Sequence, residues 1–275
     1  MLNQFSPLLF IFLFFGASYS LKAQDLPRSH AHNDYEKLGR KSLYGALKQG
    51  FRSIEIDVFV RGEKGNNYKP KNLRIAHINL LTGLCPTLES RYFARVENWL
   101  ERQPRDTNLP PIILMVDIKN KPAQAYAQLR QLCQKYAHLL CVYYPNEKRY
   151  QRGAVQILLS GSKPVAELRA DSVQYMWLDM GFGTIGDNNT PPQLAPRVSS
   201  HYGGNFKWRG RGGRPMPPKE LEKLQKIVAA AHADGREVRF WAMPNRAIVW
   251  RTFSAAGVDW LNIDKIKKYR RWQHL

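Results

Sequence analysis

The amino-acid sequence predicts an α/β chain folded as a single-domain (β/α)8 barrel. Apolar, β-branched runs alternate with stretches of helical spacing, the pattern of a parallel sheet covered by helices. About eight such units fit into the roughly 250 residues that follow an apolar leader, the usual size of this barrel. A doubly wound open sheet is the competing architecture, but no Gly-x-Gly-x-x-Gly turn follows any strand-like run.

Pro7 to Ser20 is an apolar run ending in small residues, and Ala23 occupies a cleavage position. Residues 1–23 are therefore expected to be a signal peptide and 24–275 the barrel, exported to the periplasm or secreted. The run is shorter than the roughly 20 apolar residues of a bilayer span. No Lys or Arg precedes it, which keeps a short uncleaved anchor as the alternative.

The first strand is short, through "RSHAH". Then come "SIEIDVFV" from Ser53, "LRIAHI" from Leu73 as a hairpin arm, "PIILMVDIK" from Pro111, "LLCVYY" from Leu139, "VQILLS" from Val155, "QYMWLDM" from Gln174, "EVRFWAM" from Glu237 and "VDWLNID" from Val258. Helical spacing covers Lys41 to Gln49, Leu88 to Arg102, Pro122 to His138, Pro164 to Ala170, Pro218 to Asp234 and Arg246 to Ala256. Pro218 and Gly235 punctuate one helix as starting prolines and trailing glycines do. Gly181 to Pro217 lacks periodicity and is rich in Gly, Pro and Arg, so it reads as a binding loop or lid.

Forty-two Lys and Arg against 22 Asp and Glu give a formal charge of +20. Such a surface attracts nucleic acid, acidic lipid and phosphorylated small molecules alike. Cys85, Cys133 and Cys141 have no C-x-x-C spacing, which speaks against a zinc site or a disulfide framework and leaves room for one bridge at most.

Alternation along "SIEIDV" places Glu55 and Asp57 on one face and Ile54, Ile56 and Val58 on the other, so both carboxylates look into the barrel. Close carboxylates repel unless a proton or cation stands between them. Their hard oxygens suit one divalent cation, Mg2+ or Ca2+. The alternative is a solvated edge strand. Asp117 ends the next apolar strand, with Lys119 on the same face; it would join the acids or, alternatively, cap the following helix. His32 and His77 end strand-like segments, and two imidazoles flanking a cation-bound phosphate would serve as general base and general acid. His30 shares the face of His32, so spacing alone does not choose between them.

The ordered set "AHN", "SIEIDV", "RIAH", "ILMVDIK" and "VRFWAMP…GVDWLNID" resembles the phosphatidylinositol-specific phospholipase C-like phosphodiesterase superfamily. Within it, the chain looks most like the altered inheritance of mitochondria protein family, beside the glycerophosphodiester phosphodiesterases. The resemblance covers nearly everything after Ala23. It implies a TIM-type barrel with one divalent cation at its mouth. His32 and His77 match the two catalytic histidines, Glu55 and Asp57 the E-x-D metal ligands, Asp117 the acid of the next strand and Asn33 a metal-ligating asparagine. Lys119 matches a lysine beside the phosphate, and Trp241 a tryptophan lining the substrate pocket. The partner implied is a phosphodiester, including phospholipid.

Two departures stand out. "EKLGRKSL" replaces the P-E-N-T-like segment of glycerophosphodiester phosphodiesterases, and "RGEKGNNYKPKN" replaces a tight D-G turn before His77. Two other readings compete: a barrel that binds phosphate without turnover, and a nucleic-acid-binding protein built on "NFKWRGRGGRP", which the export leader disfavours. The basic end "KIKKYRRWQHL" reads as a contact for an anionic membrane or as a frayed, solvated tail.

Overall fold

The computed structural model describes residues 29–32, 34, 42–61, 71–76, 85–103 and 109–273. The leader, Asn33 and His77 lie outside them.

Eight parallel strands close into a ring. They are β1 (Ser29–Ala31), β2 (Ser53–Arg61), β4 (Ile112–Ile118), β7 (Val155–Gly161), β8 (Met176–Met180), β9 (Arg197–His201), β10 (Glu237–Trp241) and β11 (Trp260–Ile263), each paired to the next, with β11 returning to β1. Closure leaves these strands no free edge. β3 (Lys71–Ile75) pairs antiparallel to β2 outside the ring, as the hairpin arm expected there.

Two expectations fail. "LLCVYY" does not join the barrel: β5 (Val142–Tyr144) pairs antiparallel with β6 (Arg149–Gln151) in a separate two-stranded sheet, and Cys141 packs among the apolar side chains of the barrel interior. Gly181 to Pro217 is not one long loop, because it contains barrel strand β9. That strand escapes an apolar search because its inward residues are polar: Arg197, Ser199 and His201 alternate with Val198 and Ser200.

The helices follow the sequence punctuation. α1 (Tyr44–Leu47) and α2 (Ala94–Glu101) flank the β2–β3 hairpin, α2 entered through a π-helical turn at Glu89–Phe93. α3 (Pro122–Lys135) starts on its proline and buries Ala125, Leu129 and Cys133, four residues apart on one stripe. α4 (Val165–Ala170) and the short α5 (Tyr202–Asn205) follow. α6 (Pro218–Ala233) buries Leu224, Val228 and Ala231 and stops before Gly235, whose φ of 73° suits glycine. α7 (Ala247–Ala255) buries Val249, Trp250 and Phe253.

The basic C-terminal run is α8 (Ile266–Gln273), not a frayed tail. Tyr269 is fully buried with its ring edge against Phe51 and Trp250. No helix among the described residues is long and apolar enough to cross a membrane. No disulfide joins Cys85, Cys133 and Cys141.

Two cores result. Ile54, Ile56, Val58, Leu114, Val116 and their counterparts pack outward against the helices. Inside the ring, Ile113, Met115, Leu158, Trp177 and Trp260 form an apolar floor near the strand starts. The polar side chains stand above it, toward the carboxyl ends.

Candidate active site at the barrel mouth

Strand β2 lies within the ring, so Glu55 and Asp57 are nearly buried, 5% and 1% exposed, and the solvated-edge alternative falls. Asp57 pairs in register with Asp117 on β4, and Asp117 with Ser160 on β7. Carboxylate oxygens of Glu55, Asp57 and Asp117 come within 4.8 Å of one another. Asp117 does not cap α3: the Ser160 hydroxyl donates to its Oδ2 at 2.9 Å, and α3 starts after Lys121 with no side-chain cap.

The charge of this group is managed by three neighbours. Lys119 Nζ stands 2.9 Å from both Asp57 Oδ2 and Asp117 Oδ1, so an ammonium separates the two acids. Burial lowers the Lys119 pKa, but the hydrogen bonds to Asp117 and Asp57 outweigh it and hold the ammonium above its ordinary value. Glu55 Oε2 accepts from His30 Nε2 and Arg239 Nη1, each at 2.9 Å. Burial pushes the Glu55 carboxyl up, yet the His30 hydrogen bond and the Arg239 charge hold it well below the carboxylate range. With Oε2 occupied, Oε1 is the Glu55 oxygen that faces His32, at 3.6 Å from its Nε2.

The two histidines separate in role. His30 is fully buried on β1, with Nδ1 2.8 Å from Ser53 Oγ; burial and Arg239 pull its ring down to about 3 against the pull of Glu55. It is a neutral structural bridge. His32 follows β1 and keeps a quarter of its side chain exposed. Its Nδ1 is 2.7 Å from Asp264 Oδ1, so in the neutral ring Nδ1 carries the proton and Nε2 offers a lone pair. Burial lowers the His32 pKa, but Asp264 and then Glu55 raise it above the ordinary value. Asp264 is fixed in turn by Asn245 Nδ2 at 2.5 Å from Oδ2, while Asn245 Oδ1 accepts from the Asp264 amide.

The largest connector is Arg239, whose facing the pattern of "VRFWA" leaves open. It faces inward, 4% exposed, and its donors also reach Asn262 Oδ1 at 3.0 Å, Ser199 Oγ at 3.1 Å and Asp179 Oδ2 at 3.3 Å. Asp179 in "MWLDM" carries the same strand-terminal acid signal as Asp117 in "LMVDI", and that signal would have found it. Trp241, by contrast, is 44% exposed and so is no core residue; its ring lies 4.4 Å from that of His201. The structure thus brings His32, Glu55, Asp57, Asp117 and Lys119 together and places Trp241 at the rim. Among the described residues, the donor set fits a hard divalent cation: ligands about 2.1–2.5 Å from one ion span the separation seen here.

No family model matches the chain. It is 25% identical over 267 residues to altered inheritance of mitochondria protein 6 homolog of Arthroderma benhamiae, covering 86% of this chain and 81% of that one. Identity is 24% over 275 residues to altered inheritance of mitochondria protein 6 of Eremothecium gossypii, covering 88% and 68%. Among solved structures, a calcium-dependent phosphoinositol-specific phospholipase C from a Pseudomonas species superposes with a TM-score of 0.57 at 13% identity, covering 88% of this chain and 92% of that one. A glycerophosphodiester phosphodiesterase from Parabacteroides distasonis gives 0.50 at 11% identity, covering 90% and 96%. These structural likenesses are likenesses of fold. Together with the sequence relatives they agree with the superfamily resemblance read from the chain.

Proposed function

We propose that the protein is a phosphodiesterase working with one divalent cation, Mg2+ or Ca2+, held by Glu55, Asp57 and Asp117. The observation that carries this reading is the meeting of three carboxylates with an Asp264-oriented histidine at one barrel mouth. A cation bound there would neutralise charge developing on a nonbridging phosphate oxygen. The remaining work belongs to the side chains. Asp264 holds the neutral His32 ring so that Nε2 accepts a proton from a hydroxyl or water, and it stabilises the imidazolium that forms. Lys119 adds a fixed positive charge beside the acids, and Trp241 offers an apolar face at the rim.

In this reading His77 is the second proton-transfer group and Asn33 a further oxygen ligand. The substrate is a phosphodiester of the lipid-headgroup or glycerophosphodiester type. The same base at His32 would serve internal attack where the substrate has a hydroxyl beside the phosphate. The leader would export the protein, where its positive charge favours an anionic membrane surface.

The test is product release from bis(p-nitrophenyl) phosphate and a glycerophosphodiester panel, with EDTA, Mg2+ or Ca2+. Activity that requires the cation and is lost in His32→Ala, His77→Ala and Glu55→Ala is the expected result. Turnover that survives His32→Ala, or no turnover on any member with cation bound, would sink the proposal.

A further inference from the structure

The rim after β9 carries a second cluster of charge that the acids do not use. His201 ends β9, and the chain returns past it through Trp208 and Arg209. Gly203 makes their meeting feasible. A β-carbon there would stand 2.8 Å from Arg209 Nη2 and 2.9 Å from His201 Cε1, so guanidinium and imidazole fill space that any other residue would take. Gly203 has no positive φ to explain its identity, which leaves this close approach as the physical reason for glycine.

Arg209 is half-buried, and among the described residues it makes no ion pair or side-chain hydrogen bond. Its guanidinium lies 5.1 Å over the Tyr202 ring, whose hydroxyl is spent on Trp208 O at 2.6 Å. Glu220, the nearby acid, accepts from the Trp208 amide. On His201, Nδ1 accepts from the Gly204 amide at 3.1 Å, so the neutral ring carries its proton on the outward Nε2. A guanidinium fork held in no ion pair beside a free N–H is a receptor for an oxyanion.

We propose that Arg209 and His201, packed over Gly203, form an oxyanion subsite that takes a second anionic group, phosphate or carboxylate, on the substrate. The inference rests on the phosphodiesterase reading and deepens it toward substrate class. In the ring order, β9 and β10 stand opposite β2 and β4. A phosphodiester seated at the acids therefore meets Arg209 with the far end of its headgroup, passing the exposed Trp241 ring, which lies tilted against that of His201.

The first measurement needs no turnover. Inorganic phosphate is titrated calorimetrically into the full-length, EDTA-treated protein at physiological ionic strength. Arg209→Gln and Gly203→Ala are each expected to weaken binding at least tenfold, while Arg211→Gln, a change at an exposed arginine of the same loop, shifts it less than twofold. Equal binding by wild type and Arg209→Gln, or equal losses in the Arg209 and Arg211 variants, overturns the proposal. A second arm compares kcat/KM for glycerophosphoserine and glycerophosphoethanolamine, which differ by one carboxylate. A preference for the former that Arg209→Gln removes through KM assigns the subsite to the headgroup. Arg209-dependent phosphate binding without that preference assigns it to free oxyanions and removes the substrate part of the proposal. Phosphate binding that depends on Arg209 in a protein that turns over neither ester leaves the subsite standing and counts against the phosphodiesterase reading alone.

Discussion

Acid should loosen this protein earlier than its carboxylates alone would allow, and His30 is the reason. Its ring is fully buried, with Nε2–H donating to ionised Glu55 and Nδ1 accepting from Ser53. The folded-state pKa of about 3 lies below the ordinary 6.5, so between those values the unfolded chain binds a proton that the native ring refuses. A depressed folded-state pKa means stability is fully present above pH 6.5 and declines as pH falls toward 3. At pH 5.5 the linkage amounts to about 1.4 kcal/mol, because one pH unit below the unfolded pKa costs nearly one full proton. His30→Asn keeps a donor for Glu55 but has no titrating ring. Between pH 7.5 and 5.5 the unfolding free energy from urea titrations in EDTA should fall by that amount more in the wild type than in the variant. Equal losses would refute the assignment of a neutral, buried His30.

Other perturbations test the same network. Arg239→Met removes the guanidinium that bonds Glu55 and reaches Asp179, both buried, and should cost about 3–5 kcal/mol in chemical denaturation, the cost of breaking a buried pair. Gly161→Ala places a β-carbon 2.5 Å from Asp117 Oδ1 and 2.5 Å from the Ile118 carbonyl at a φ of +69°, so the acid must shift; weakened divalent-cation binding by calorimetry, with the fold retained by circular dichroism, is the expected pair of results. Asp264→Asn removes the anion that orients His32 and should lower kcat about a hundredfold with cation affinity retained, in line with general acid–base contributions; the same substitution should lower the His32 pKa followed by NMR.

The acids at the mouth were legible because period-two alternation needs only a few residues: "SIEIDV" shows which face is polar without knowledge of any partner. Strand β9 was not legible, since "RVSSH" offers Val198 as its one aliphatic side chain and relies on neighbouring strands for order. The apolar "LLCVYY" misled for the opposite reason. Hydrophobicity reports burial, and Cys141 is buried against the barrel floor without belonging to the ring. Arg239, Asp179 and Asp264 act on partners far away in sequence: Arg239 reaches a carboxylate 184 positions earlier, and His32 one 232 positions later. Periodicity is a local measure, and it carries no information about such pairs. The choice between His30 and His32 likewise depended on surroundings, because two residues on one strand face differ only in what the rest of the ring builds around them.

The apolar floor of Ile113, Met115, Leu158, Trp177 and Trp260 makes the interior a blind alley. Whatever enters at the carboxyl ends of the strands has to leave by the same doorway, past Trp241 and the rim of β9. Arrival and departure then share one passage, and a departing molecule that lingers there delays the next arrival.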